Sequence, residues 1–252
     1  MPSQRVFIKT STGIRLAAVI DFPEIAPRAF AVFSHCFTCS KDLKAIVRIS
    51  RRLAEHQIAV LRFDFTGLGD SEGDFSETNF ETNVSDVLSV ANWLRQNHRA
   101  PQLLMGLSLG AAAMMAAAHQ IDSAGGLVTL AAPSCTAHLA DYLLRQNPEI
   151  ETLGAGDVTI GGRRHLIKAQ LLTSLRQRNL GAEISSIRIP HLIMHSPIDE
   201  TLGFYHAEKI FELTGGIKSF ITLDGADHLM MSQANDVVFV ADQIELWSRR
   251  WM

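Results

Sequence analysis

The chain has no excess of positive charge: 23 lysines and arginines stand against 26 aspartates and glutamates, a formal net charge of −3 over 252 residues. A surface for nucleic acid or anionic lipid needs a basic excess, so neither partner is expected. Long hydrophobic runs are also missing. No window reaches the roughly 18 uninterrupted apolar residues of a membrane span, and the N-terminal MPSQRVFIKTST lacks the apolar segment of a secretory signal. A soluble, cytoplasmic protein is therefore expected. Cysteine is scarce: three residues, an odd and small number, fit a reducing compartment rather than a disulfide framework.

Core-forming material, by contrast, is plentiful. Hydrophobic residues make up 47% and charged residues 19% of the chain, as in a single globular domain. Residues 5–22 read as two strands joined around Thr12 and Gly13. After them, strand-like apolar runs at 29–35, 58–65, 102–108, 125–133, 190–197 and 219–226 take turns with amphipathic helical patterns at 42–57, 79–97, 109–120, 206–214 and 234–251. That alternation predicts an α/β fold: a mostly parallel eight-stranded sheet, helices on both faces, and an antiparallel edge made by the first pair. Residues 134–189 break the rhythm. About fifty-five residues far exceed the roughly 4–6 of an ordinary connection, so this stretch is expected to be a small cap inserted into a single domain. Two helices are predicted within it, around HLADYLLRQN and RRHLIKAQLLTSLRQR, separated by LGAGDVTIGG. Leu139, Tyr142, Leu143, Ile167, Leu171 and Leu172 fall at helical spacing there; they either line an acyl pocket or glue the cap down.

One serine stands out in LLMGLSLGAAAMMAAA (103–118). Two glycines that weaken both helix and strand flank it at Gly106 and Gly110. A Gly-x-Ser-x-Gly at a strand-to-helix junction suits a sharp turn that presents the Ser108 hydroxyl above a helix N-terminus. A hydroxyl is a poor nucleophile unless a histidine takes its proton and a carboxylate orients that histidine. Asp199, in SPIDET, and His228, in GADHLM, each follow a late predicted strand, where sites of open α/β sheets form. Glu200 rivals Asp199 as the acid. His35 and His195 are rivals to His228, but neither has a carboxylate at a comparable position downstream, and Asp227, adjacent to His228, is expected to point elsewhere.

With those residues in place, the chain resembles the α/β-hydrolase superfamily, in its small-capped esterase and serine-aminopeptidase-like (monoglyceride-lipase-like) branch. The resemblance is carried in order by SHCFTCSKD (34–42), DFTGLGDSEG (64–73), GLSLG (106–110), HSPIDE (195–200) and GADH (225–228). It implies catalytic Ser108, Asp199 and His228, and an oxyanion hole formed by the backbone N–H groups of Phe37 and Leu109. It also implies a small-molecule ester as substrate, cleaved through an acyl-enzyme, with the amide bond of a peptide as the alternative. Cys36 stands where relatives carry glycine, and would be strained if that position needs a positive φ. Thr66 stands where relatives often carry arginine.

Two motifs point to other classes. Cys36-Phe37-Thr38-Cys39 imitates a thioredoxin-type redox pair between strand and helix, although two ordinary thiols explain it as simply. Gly67-x-Gly69-x-x-x-Gly73 imitates a dinucleotide fingerprint, but its spacing is off by one and acidic residues follow. Neither accounts for Ser108, Asp199 and His228, so no cofactor and no metal are expected. A non-catalytic binding protein on the same scaffold is the remaining class. No feature of the sequence assigns an oligomeric state.

Overall fold

The computed structural model describes residues 2–252. β1 (Ser3–Lys9) and β2 (Arg15–Asp21) form an antiparallel hairpin. Then come β3 (Ala29–Ser34), α1 (Lys44–Glu55), β4 (Ile58–Phe63), α2 (Phe80–Asn97), β5 (Leu103–Leu107), α3 (Leu109–Ala117) and β6 (Gly126–Leu130). After β6 the chain forms α4 (Ala137–Gln146), α5 (Glu149–Thr152), β7 (Ala155–Ile160), β8 (Arg163–Lys168), α6 (Ala169–Gln177) and α7 (Leu180–Ser186). It closes with β9 (His191–His195), α8 (Tyr205–Leu213), β10 (Lys218–Thr222) and α9 (Ala234–Ser248).

Eight strands make one sheet in the order β1-β2-β4-β3-β5-β6-β9-β10. From β4 to β10 all neighbours are parallel, while β1 and β2 form the antiparallel edge. The expected α/β architecture is the observed one. The central strands AFAVFS, IAVLRF, LLMGL and GLVTL are buried throughout, as parallel strands covered on both faces must be. Successive side chains point to opposite faces. Val32, Leu61, Leu104 and Leu127 therefore feed a core under α2 and α3, whereas Ala31, Val60, Met105 and Val128 feed a second core under α1 and α9. Ile49 and Leu53 of α1 are fully buried in that second core, and each such side chain contributes about 2 kcal/mol by leaving water.

Residues 134–189 differ from expectation in two respects: short helices α5 and α7 add to the two expected, and a hairpin stands where the second was to begin. RRHLIK, predicted as the start of a helix, is strand β8, paired antiparallel with β7 from Ala155↔Lys168 to Ile160↔Arg163. Gly161 and Gly162 both have positive φ (56° and 75°) and form a two-residue hairpin turn that side chains with a Cβ disfavour. The helical spacing of Ile167, Leu171 and Leu172 runs from the end of this strand into α6, which hid the boundary. Leu143, Ile167, Leu171 and Leu172 are buried in the α2–α3 core, Leu139 packs against it, and Tyr142 is exposed.

Candidate active site

The chain turns sharply between β5 and α3. Ser108 sits in the turn with φ 54° and ψ −122°, a conformation that a residue with a side chain adopts only when its surroundings enforce it. The two glycines explain how. A Cβ on Gly106 would lie 2.5 Å from the Ala111 Cα, and one on Gly110 would overlap the carbonyls of Ser34 and His35. The Ser34 hydroxyl donates to the Gly110 carbonyl at 2.9 Å, and the Ser108 amide donates to Leu130 O at 2.9 Å. The end of β3 is thus pressed onto the first turn of α3, which brings the loop carrying Phe37 beside Ser108.

Asp199 and His228 reach the same place from the carboxyl ends of β9 and β10. His228 Nε2 lies 3.0 Å from Ser108 Oγ, and His228 Nδ1 lies 2.7 Å from Asp199 Oδ2. An ionised carboxylate only accepts hydrogen bonds, so Nδ1 carries the proton and Nε2 is free to accept the serine hydroxyl. The Asp199 side chain is fully buried. Burial by itself would raise its pKa, but hydrogen bonds from His195, His228 and the Leu202 amide override that and hold the carboxyl well below its usual range. Its other oxygen accepts the amides of Thr201 and Leu202 at 2.8 and 2.9 Å. Glu200 is exposed, and Asp227 turns away to accept the Met231 amide at 2.6 Å.

The loop after β3 shows where Phe37 points. The Cys36 carbonyl accepts from His35 Nδ1 at 2.7 Å and from the Cys39 amide at 3.1 Å. Burial lowers the His35 pKa, so the ring is neutral; its Nε2 accepts the Phe65 amide at 3.2 Å, which leaves the proton on Nδ1. In a trans peptide the N–H is directed opposite to the C=O. Pinning the Cys36 carbonyl therefore aims the Phe37 N–H the other way. Among the described residues that N–H and the N–H of Leu109 donate to no backbone carbonyl.

Two expectations about this loop need correction. Cys36 and Cys39 are not two free thiols; they are joined in a disulfide. Nor is Cys36 the strained position, since the positive φ in this loop falls on Thr38, at 58°. Scarcity of cysteine says nothing about two cysteines placed within a single tight turn. The other suspect glycine motif has a structural role: a Cβ on Gly69 would overlap the Asp64 carboxylate, which places a negative charge where a pyrophosphate would have to lie. Thr66 donates its amide and hydroxyl to Asp86, at 2.8 and 3.0 Å.

Sequence reasoning set aside two histidines that matter here. His195 Nε2 donates to Leu202 O at 2.8 Å and lies 3.3 Å from Asp199 Oδ2, so it shares the acid with His228; the i,i+4 spacing in HSPID was the available signal. His35 fixes the Cys36 carbonyl, as described. Phe75 and His165 were also missed. Phe37 packs on Phe75 (centroids 5.7 Å apart), which packs on His165 of β8 (5.5 Å). Among the described residues no group of three or more His, Cys, Asp or Glu side chains is arranged to hold a metal ion, and no helix is long and apolar enough to cross a membrane.

The model of the alpha/beta hydrolase family matches residues 31–241. The chain is 27% identical over 228 residues to the uncharacterized protein YfhR of Escherichia coli O157:H7, covering 88% of this chain and 68% of that one. Among solved structures it is similar to the esterase domain of a Rhodothermus marinus protein, with 37% identity, a TM-score of 0.80, and coverage of 100% of this chain and 99% of the other. Est1E of Butyrivibrio proteoclasticus with ferulic acid bound shares the fold, at 21% identity, a TM-score of 0.86 and 98% coverage of each chain. The sheet order, the serine turn and the family match lead to one conclusion: the chain belongs to the alpha/beta hydrolase family.

Proposed function

We propose that the protein is a serine hydrolase that cleaves carboxylic esters through an acyl-enzyme. The observation that carries this reading is the continuous line of hydrogen bonds from Ser108 through His228 to Asp199, at 3.0 and 2.7 Å. As Ser108 Oγ attacks the ester carbonyl, His228 Nε2 takes its proton, and Asp199 holds the imidazole in the right tautomer and stabilises its charged form. The carbonyl oxygen becomes an oxyanion between the Phe37 and Leu109 N–H groups. Each such donor, held ready before the reaction, lowers the barrier by about 3 kcal/mol. The N-terminus of α3 beneath Ser108 adds a favourable field. His228 then returns the proton to the departing alcohol. Water, activated by the same imidazole, attacks the acyl group, and the acid leaves with Ser108 restored.

The likeness to the Rhodothermus marinus esterase domain over the whole chain supports an ester as substrate. We read residues 134–189 as a cap over the site. In support, the row Phe37, Phe75 and His165 links the loop beside Ser108 to the β7–β8 hairpin, while the buried Leu143, Ile167, Leu171 and Leu172 anchor this segment rather than line a pocket.

A fluorophosphonate probe is expected to label wild-type protein at Ser108 and to leave Ser108→Ala unlabelled. Turnover of short p-nitrophenyl esters is expected to exceed that of aminoacyl anilides. An unlabelled wild-type protein would remove the reading, and faster cleavage of the anilides would convert it to a peptidase.

A further inference from the structure

We propose that the Cys36–Cys39 disulfide is a positioning element of the oxyanion hole, so that turnover depends on its oxidation state. The inference rests on the serine-hydrolase reading and on Phe37 as an oxyanion donor. It starts from an unusual placement: the crosslink closes the very turn that carries the Phe37 N–H. Within that turn the Cys36 carbonyl is held by the His35 ring and the Cys39 amide, and its direction sets the direction of the Phe37 N–H.

Three observations say that the turn depends on its closure. Thr38 has φ 58°, a left-handed conformation that a β-branched residue leaves unless something enforces it. The Cys39 amide, one of the two donors on the Cys36 carbonyl, is itself placed by the crosslink. The backbone at Phe37 and Thr38 lies in neither helix nor strand, so no ladder of hydrogen bonds substitutes for the covalent bond. Once the bond is open, Thr38 can return to negative φ, the Cys39 amide moves off the Cys36 carbonyl, and the peptide plane loses one of its two restraints.

A thioredoxin-type electron carrier fits this pair less well. Such a carrier needs an accessible thiolate stabilised by a helix N-terminus. Here Cys36 is buried, at 3% exposure, and α1 begins only at Lys44. The chemistry is a two-electron exchange with an external dithiol. The dithiol's thiolate attacks one sulfur, its second thiol displaces the mixed disulfide, and the protein gains two thiols as the reductant leaves as its cyclic disulfide. In a compartment whose dithiols keep cysteines reduced the turn would be open, and in an oxidising one closed.

The test uses a Cys135→Ser background, which removes the single free, exposed cysteine. The protein is reduced with dithiothreitol, desalted so that free dithiol does not cleave the reporter by thiolysis, kept without oxygen so that the pair stays reduced, and assayed on a short p-nitrophenyl ester. Thiol content is read by alkylation and mass, and turnover is expressed per fluorophosphonate-reactive site, so that unfolded protein does not count. Deleting one oxyanion donor lowers kcat about 10²- to 10³-fold. Loosening one is expected to lower kcat roughly tenfold, with KM within about twofold, because the donor acts on the transition state. Re-oxidation is expected to restore kcat. Cys39→Ser, unable to form the bond, is expected to show the lower kcat from the start and not to respond to dithiothreitol. Equal kcat for the fully reduced and oxidised protein, or a Cys39→Ser variant as fast as the oxidised form, overturns the inference while labelling and turnover leave the hydrolase reading standing. An oxidised protein that neither labels nor turns over overturns both.

Discussion

The chain on one side of Ser108 is held by a covalent bond and buried ions; on the other side it is held by hydrogen bonds from backbone amides and imidazole. The loop from His35 to Asp42 is closed by the Cys36–Cys39 disulfide. It is then tied down by Lys41, whose ammonium, only 4% exposed, meets Asp64 at 2.8 Å and Asp70 at 2.7 Å. Arg62, nearly buried, pairs with Asp21 at 2.9 Å and donates to the Lys41 carbonyl at 2.8 Å. On the opposite side, Asp199 is fixed by two backbone amides and the His228 imidazole, with the His195 ring 3.3 Å away and, among the described residues, no lysine or arginine paired with it. On the proposed mechanism the difference follows from what each side must hold. A carboxylate that orients a histidine must keep its charge, and a full cation beside it would compete with the imidazolium formed during the reaction. A loop that only aims a backbone N–H has no such constraint, and ions or a crosslink serve it well.

The largest expected effect breaks the hydrogen-bonded side. In Asp199→Asn the side-chain amide has to donate toward His228 Nδ1, which moves the ring proton to Nε2 and leaves no acceptor for the Ser108 hydroxyl. A loss of about 10⁴-fold in kcat is expected, with the fold intact. Glu200→Gln, altering the exposed neighbour, is expected to stay within about twofold. Ester turnover of the two variants checks this, and the opposite order would make Glu200 the acid.

On the ionic side the expected effect is on stability. Lys41→Met leaves the Asp64 carboxylate, fully buried, with two amide donors, from Lys41 and Asp70, and no cation. Removing one partner of a buried pair costs about 3–5 kcal/mol, read as a lowered urea midpoint at unchanged m-value. Lys41→Met combined with Asp64→Leu is expected to recover part of that loss, because no charge then remains unpaired. A double variant no more stable than Lys41→Met alone would show that the pair is not the source of the loss.

The two sides were not equally legible in the sequence. The sheet could be read because strands covered on both faces are apolar throughout, and AFAVFS and LLMGL leave no other assignment. Ser108 could be read because Gly106 and Gly110 have no use except where backbones meet. On the acid side, His195 was set aside in the search for an acid beyond its strand, yet one carboxylate has lone pairs for two imidazoles, and the two rings lie 33 residues apart in the chain but share Asp199 in space. On the other side composition misled. Three cysteines in a long chain suggest free thiols, whereas pairing depends on a turn only four residues long that brings the Cys36 and Cys39 Cα atoms to 5.3 Å. The hairpin within 134–189 was hidden because apolar residues at the end of β8 and the start of α6 share a helical spacing; the adjacent Gly161-Gly162 was the stronger signal.

The smallest expected effect sharpens the comparison between two buried carboxylates. Asp199 receives three donors, one of them an imidazole, with a second imidazole, His195, 3.3 Å away, and its pKa is held low. Asp86, 2% exposed, receives only the Thr66 amide and hydroxyl, and burial, outweighing those bonds, pushes its pKa up to about 6. An unfolded aspartate titrates near 3.9, so between about pH 4 and 6 the unfolded chain has lost a proton that the folded one keeps. Folding stability from this group is therefore greatest below that window and declines as pH rises through it, by about 3 kcal/mol in all. His191 and His206, whose pKa values burial lowers to about 3 and about 4, act in the opposite direction, because acid charges them only in the unfolded chain. Total stability therefore hides the Asp86 contribution, and the difference between wild type and Asp86→Asn isolates it. Asparagine keeps one acceptor for Thr66 and does not ionise. The variant is expected to gain on wild type steadily from pH 4 to pH 7, because only the wild-type carboxyl gives up stability as the unfolded chain ionises. Urea denaturation at four pH values measures this. Parallel curves would mean that Asp86 ionises in the folded protein as readily as in the unfolded one, its two Thr66 donors offsetting the cost of burial in full.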